Sequence, residues 1–176
     1  FSKWHVDEDA PGPTHDGLTW STAFTHPQDG VDAAIAGQDV AVAEGTYVRK
    51  GSGDTVLLTL AQGVGVLGGY AGFGEPDPDV RDLALHATTL DGEDVVEHVV
   101  VAHTCATLDG VVVTGGNAMD GGGLYSSSAR DVAVNGCTFA GNSADDGGAL
   151  SGHDSTFNIT NSMFCSNIAI SDGGAV

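Results

Sequence analysis

The chain has 176 residues, enough for one domain with its own core, and 41% of them are hydrophobic, so it is no disordered polymer. Against 24 Asp and Glu stand 5 Lys and Arg, a formal net charge of −19. That balance excludes nucleic-acid binding, which needs cations to replace phosphate counterions, and an anionic membrane would repel the chain for the same reason. The partners it invites are cations, namely Ca²⁺, Na⁺ or basic patches on other proteins; solubility or adaptation to salt is the plainer reading. With 27 Gly and 5 Pro, many tight turns between short strands are expected. Cys105, Cys137 and Cys165 allow at most one internal bridge, and their spacing resembles no zinc motif. No apolar run is long enough for a membrane helix.

In chain order, residues 4–17 read as a short strand and a polar, turn-rich loop. Residues 22–37 carry Val31, Ala34 and Ile35 at the spacing of one helical face, with Gly37 to stop the helix. Together, residues 1–37 read as an N-terminal cap of strand, loop and short helix. Residues 38–48 alternate as a strand, residues 55–73 hold two more, and residues 74–86 form an insertion that is acidic and Pro-containing at its start. Strand pattern returns over residues 95–113.

From residue 108 the chain repeats. Asp109, Asn135 and Asn161 stand 26 apart, as do Asp120, Asp146 and Asp172, and Leu124, Leu150 and Val176. Val113, Phe139 and Phe164 are spaced 26 and then 25, so one residue is lost in the last unit. A period of 26 without helical patterning fits one coil of a solenoid, with about three short strands per coil stacked in parallel at about 4.8 Å. The expected fold is an all-β, right-handed parallel β-helix of about five coils over residues 38–176. Inward columns form its core, and Asp109, Asn135 and Asn161 form a side-chain ladder at a bend. Phe139 and Phe164 should be buried and in contact.

The repeats Gly147-Gly148-Ala149-Leu150 and Gly173-Gly174-Ala175-Val176, with Phe139-Ala-Gly-Asn142 and Phe164-Cys-Ser-Asn167, resemble the polymorphic outer-membrane protein repeat. The order of motifs along nearly the whole chain is similar to bacterial right-handed β-helix repeat proteins of the cell surface. The first unit departs from the pattern, with Val113-Thr-Gly-Gly116 and Gly121-Gly-Gly-Leu124 in the motif positions. The resemblance implies a secreted or surface-exposed structural or adhesive module with host or matrix surfaces as partners. It implies no catalytic residue and no required cofactor.

Asp120, Asp146 and Asp172 recur just before the Gly pairs, and stacked carboxylates at this spacing suit Ca²⁺, with solvated turn residues as the simpler account. The competing function is a glycan-binding or polysaccharide-cleaving, lyase-like β-helix. Arg130 beside Asp131 is its best candidate for substrate neutralisation, and both tryptophans, Trp4 and Trp20, lie in the cap. The seven His form no pair at metal spacing, and Cys137 and Cys165, in different columns, are expected as free thiols. The sequence ends inside a repeat unit, so the expected neighbour of that end is either further coils or another copy of the protein.

Overall fold

The computed structural model describes residues 3–174. The chain opens with β1 (Trp4–Val6), a short 3₁₀ turn at Trp20–Thr22 and helix α1 (Pro27–Ala33). Strands β2 (Asp39–Ala43), β3 (Gly45–Tyr47), β4 (Val56–Leu60) and β5 (Gly65–Tyr70) follow. Next come β6 (Thr88–Val96), β7 (His98–Ala102), β8 (Thr107–Asp109) and the long β9 (Val111–Asp120). The remainder comprises β10 (Leu124–Ser127), β11 (Val132–Asn135), β12 (Thr138–Ala140), β13 (Ser143–Asp146) and β14 (Leu150–His153). The last three are β15 (Phe157–Thr160), β16 (Met163–Cys165) and β17 (Ile168–Asp172).

The fold is strand-rich, and its strands lie in three parallel sheets. The first runs β1-β2-β5-β8-β11-β15, the second β4-β7-β10-β14, and the third joins β3, β6, β9, β12, β13, β16 and β17. The chain visits the sheets in turn, so each strand pairs with one that comes a whole repeat later.

Apolar residues fall in register because the repeat places them there. Val40, Val66, Leu108 and Val134 pair successively in the first sheet, and each is fully buried. In the second sheet the column is Leu58, Val100, Leu124 and Leu150, also fully buried. In the third it is Tyr47, Leu90, Val113, Phe139 and Phe164. Each buried aliphatic side chain contributes about 1.5–3 kcal/mol relative to exposure. Phe139 and Phe164 stack with centroids 5.1 Å apart and planes within 5°. Phe139 is fully buried, whereas Phe164, in the last described layer, is half-buried.

Three details depart from expectation. The helix ends at Ala33, and Gln38 N–H turns back to the Ile35 carbonyl at 3.0 Å, so Ile35 leaves the helical face and is 69% exposed. Asn135 pairs with Thr160 rather than Asn161. The unit loses its residue earlier, because Ser127 pairs with His153 but Val132 with Phe157, and it regains the residue at a bulge between Ala144 and Asp146. Both side chains nonetheless reach the ladder: Thr160 Oγ1 and Asn161 Nδ2 donate to Asn135 Oδ1 at 2.8 and 3.1 Å. Val176, the expected third member of the Leu124 and Leu150 column, lies outside the described residues.

Helix α1 covers one end of the core. It packs so closely that a Cβ on Gly30 would meet Val40 Cγ1 at 2.6 Å and Val6 Cγ2 at 2.9 Å. Gln28 on this helix accepts the Thr59 N–H at 2.8 Å and so occupies part of the β4 edge. The insertion after β5 folds back over the first sheet. There Arg81 donates through Nε to the Gly68 carbonyl at 2.8 Å and forms an ion pair with Asp109. Asp109 in turn accepts from Asn135 Nδ2 at 2.8 Å, so the side-chain ladder begins at a guanidinium.

Candidate functional site

The corner between the third and second sheets differs from layer to layer. Val96 pairs with Gly116, and Val100 pairs with Leu124. The earlier layer spans four residues from Val96 to Val100 (100 − 96), and the later one spans eight from Gly116 to Leu124 (124 − 116). Residues Asn117–Asp120 therefore overhang a shorter corner. They pair with β13 on one side, while the ladder to β6 stops at Gly116. The overhang leaves a cleft of about 440 Å³ lined by Glu97, His98, Asn117, Ala118, Met119, Asp120 and Tyr125.

Two rings form one wall. His98 and Tyr125 stack with centroids 4.8 Å apart and planes within 15°. His98 Nδ1 lies 3.0 Å from the Gly121 carbonyl. A carbonyl can only accept, so in the neutral ring Nδ1 carries the proton and Nε2 is left as an acceptor. Glu97 and Asp120 are exposed, and neither pairs with a cation among the described residues. Met119, 75% exposed, adds a flexible thioether at the rim.

The same edge continues into a smaller cleft of about 280 Å³ beside Asp146, Ser151 and Asp172. Here Ser151 occupies the position paired with Tyr125, so the acidic column runs on without an aromatic wall. Asp120, Asp146 and Asp172 do stand in register. One oxygen of Asp146, however, accepts the Asp172 backbone N–H at 3.1 Å. Among the described residues no group of three or more His, Cys, Asp or Glu side chains gathers to hold a metal ion.

The repeat motif has a clear physical basis. Asn142, fully buried, donates through Nδ2 to the Val113 carbonyl at 2.9 Å and accepts the Gly116 N–H at 3.1 Å. Asn167 repeats the role one layer on, donating to the Phe139 carbonyl at 2.9 Å. Phenylalanine fills the core and asparagine three residues later satisfies the backbone of the bend. In the first unit Gly116 takes the asparagine position because a Cβ there would lie 1.8 Å from the Gly122 carbonyl oxygen.

Other expected site residues lie apart from the cleft. Arg130 and Asp131 are exposed between β10 and β11. Trp4 and Trp20 pack in the N-terminal region, where Trp20 tilts against Tyr70 at 5.7 Å. All three cysteines are free; Cys137 is buried, and burial pushes its thiol up to about 11. The sequence singles out neither Glu97 nor Tyr125 and weighs His98 only as a metal ligand, although the unequal corner lengths expose all three once Val96 is aligned with Gly116.

Comparison of the chain with protein-family models, with curated proteins and with solved structures finds no match. The likeness to surface β-helix repeats therefore rests on the residues of this chain alone.

Proposed function

We propose that the chain is a right-handed parallel β-helix serving as a structural or adhesive module of a secreted or cell-surface protein. One observation carries this reading. In all three sheets, paired residues over 107–172 stand 25 or 26 apart in sequence, as in Leu108 with Val134, Leu124 with Leu150 and Phe139 with Phe164. Such a stack is a rigid rod whose outward residues are free to vary, which suits display of a surface. Cation supply argues against a lyase for acidic polymers, since Lys3, Arg49, Lys50 and Arg81 are each ion-paired with an Asp or Glu. A glycan-binding or glycan-cleaving module is the second reading, favoured by the His98 and Tyr125 ring stack beside two carboxylates.

Beads coated with the protein test both readings on plates of extracellular-matrix protein and on neutral and acidic polysaccharides. The expected result is retention on protein plates without release of new sugar ends. Release of sugar ends, abolished in Arg130→Ala or in Glu97→Gln, overturns the proposal.

A further inference from the structure

We infer that the corner cleft receives an extended basic peptide segment of a protein partner, with an Arg or Lys side chain seated against the His98 and Tyr125 rings. The inference rests on the adhesive reading and gives its partner a chemistry.

Four features of the site converge on that occupant. His98 and Tyr125 both line the cleft, and aromatic rings there attract a cation more strongly as water leaves. Glu97 and Asp120 line the cleft beside the rings with carboxylates that pair with no cation among the described residues, and these match a guanidinium or ammonium group. His98 Nε2 is left as an acceptor for one more N–H. The overhanging half of β9 keeps its β6 side open, so an extended segment can lie along it while its apolar stem rests on Met119 and Ala118. The net charge of −19 draws such a segment in and repels acidic polymers. The layer beyond supplies a built-in comparison: it keeps the acidic column but has Ser151 where the cleft has Tyr125, so charge recurs along this edge and the aromatic wall does not.

Charge alone would hold a basic peptide anywhere on this surface, so the test separates place from charge. The probe is a short fluorescein-labelled peptide of alternating Arg and Ser, measured by anisotropy, with a Gln-for-Arg peptide and a neutral glucose oligosaccharide alongside. Tyr125→Ala and the pair Glu97→Gln with Asp120→Asn should each weaken the Arg peptide about tenfold or more, whereas Glu75→Gln with Asp77→Asn, equal in charge change, should weaken it less than about twofold. Circular dichroism confirms that each variant is folded. Equal losses in the two carboxylate pairs reduce binding to diffuse charge and overturn the inference. Oligosaccharide binding that vanishes in Tyr125→Ala while peptide binding persists overturns it in favour of a glycan site. Adhesion of coated beads that is unchanged in the cleft variants leaves the adhesive reading standing and sinks this inference alone.

Discussion

At the scale of single residues, the stack is held by a few side chains whose roles differ by layer. Phe139 is enclosed by layers on both sides, while Phe164 is half-buried. Phe139→Ala should cost about 3–5 kcal/mol in urea unfolding, and Phe164→Ala distinctly less. Equal losses would mean that the two rings share one environment. Gly116 sets a sharper test, because Gly116→Asn restores the asparagine of the repeat motif and should still destabilise. Its Cβ would sit 1.8 Å from the Gly122 carbonyl oxygen, and overpacking of this kind costs about 3 kcal/mol or more. A variant as stable as the parent would show that the bend relaxes at no cost. Thiol reactivity follows burial in the same way. In the native protein Cys105 and Cys165, both exposed, should react promptly with an aromatic disulfide reagent. Cys137, buried and with its thiol pushed up to about 11, should react only on unfolding.

At the scale of elements, helix α1 depends on an uncommon cap. His26 Nδ1 accepts the Gln28 N–H at 3.1 Å, and Nε2 donates to the Val48 carbonyl at 2.8 Å. The bond from Gln28 requires the neutral ring, because a protonated Nδ1 cannot accept, whereas the bond to Val48 survives protonation. Burial is the main cause that lowers its pKa below 6.5, opposed by the Val48 carbonyl and by Asp29 and Asp54, with Lys50 acting in the lowering direction. A lowered folded pKa means that the unfolded chain takes up the proton first. The stabilisation is therefore complete above pH 6.5 and is lost as pH falls below it. Thermal melts should show that fall, and His26→Asn, which keeps a capping acceptor, should flatten it. A residual slope belongs to His5, also lowered mainly by burial. An unchanged slope in His26→Asn would remove His26 as its source. Elements of this kind were only partly legible. The C-terminal columns stood out because period and side-chain type agreed, as at Phe139 and Phe164. The pairing of Asn135 with Thr160 did not, because two polar neighbours serve one bend and the residue is lost earlier, between His153 and Phe157, which pair with Ser127 and Val132. The cleft was hidden for a related reason. Val66 pairs with Leu108 across 42 residues rather than 26, since the insertion lies between them, so the corner at Glu97 could not be aligned by period.

At the scale of the whole molecule, the proposed solenoid would make stability a sum of contacts between neighbouring layers and a whole layer a removable unit. Residues 135–159 form such a unit of 25, since Asn135 pairs with Thr160 (160 − 135). Their excision joins Val134 to Thr160 and leaves 176 − 25 = 151 residues. Phe164 then meets Val113, the residue that Phe139 met before, and Ile168 meets Asn117 in place of Ser143. The shortened chain should keep its strand signal in circular dichroism and unfold cooperatively, with an m-value lower by about a seventh, as the surface exposed on unfolding shrinks with length. Excision of residues 135–146 serves as the control. It joins Val134, which faces the core of the first sheet, to Gly147, a corner residue, and so breaks every column beyond the junction. That chain should lose cooperative unfolding. If both deletions unfold the protein, cooperativity extends over the whole stack and the layers are not independent. If both fold equally well, the apolar columns do not set the register.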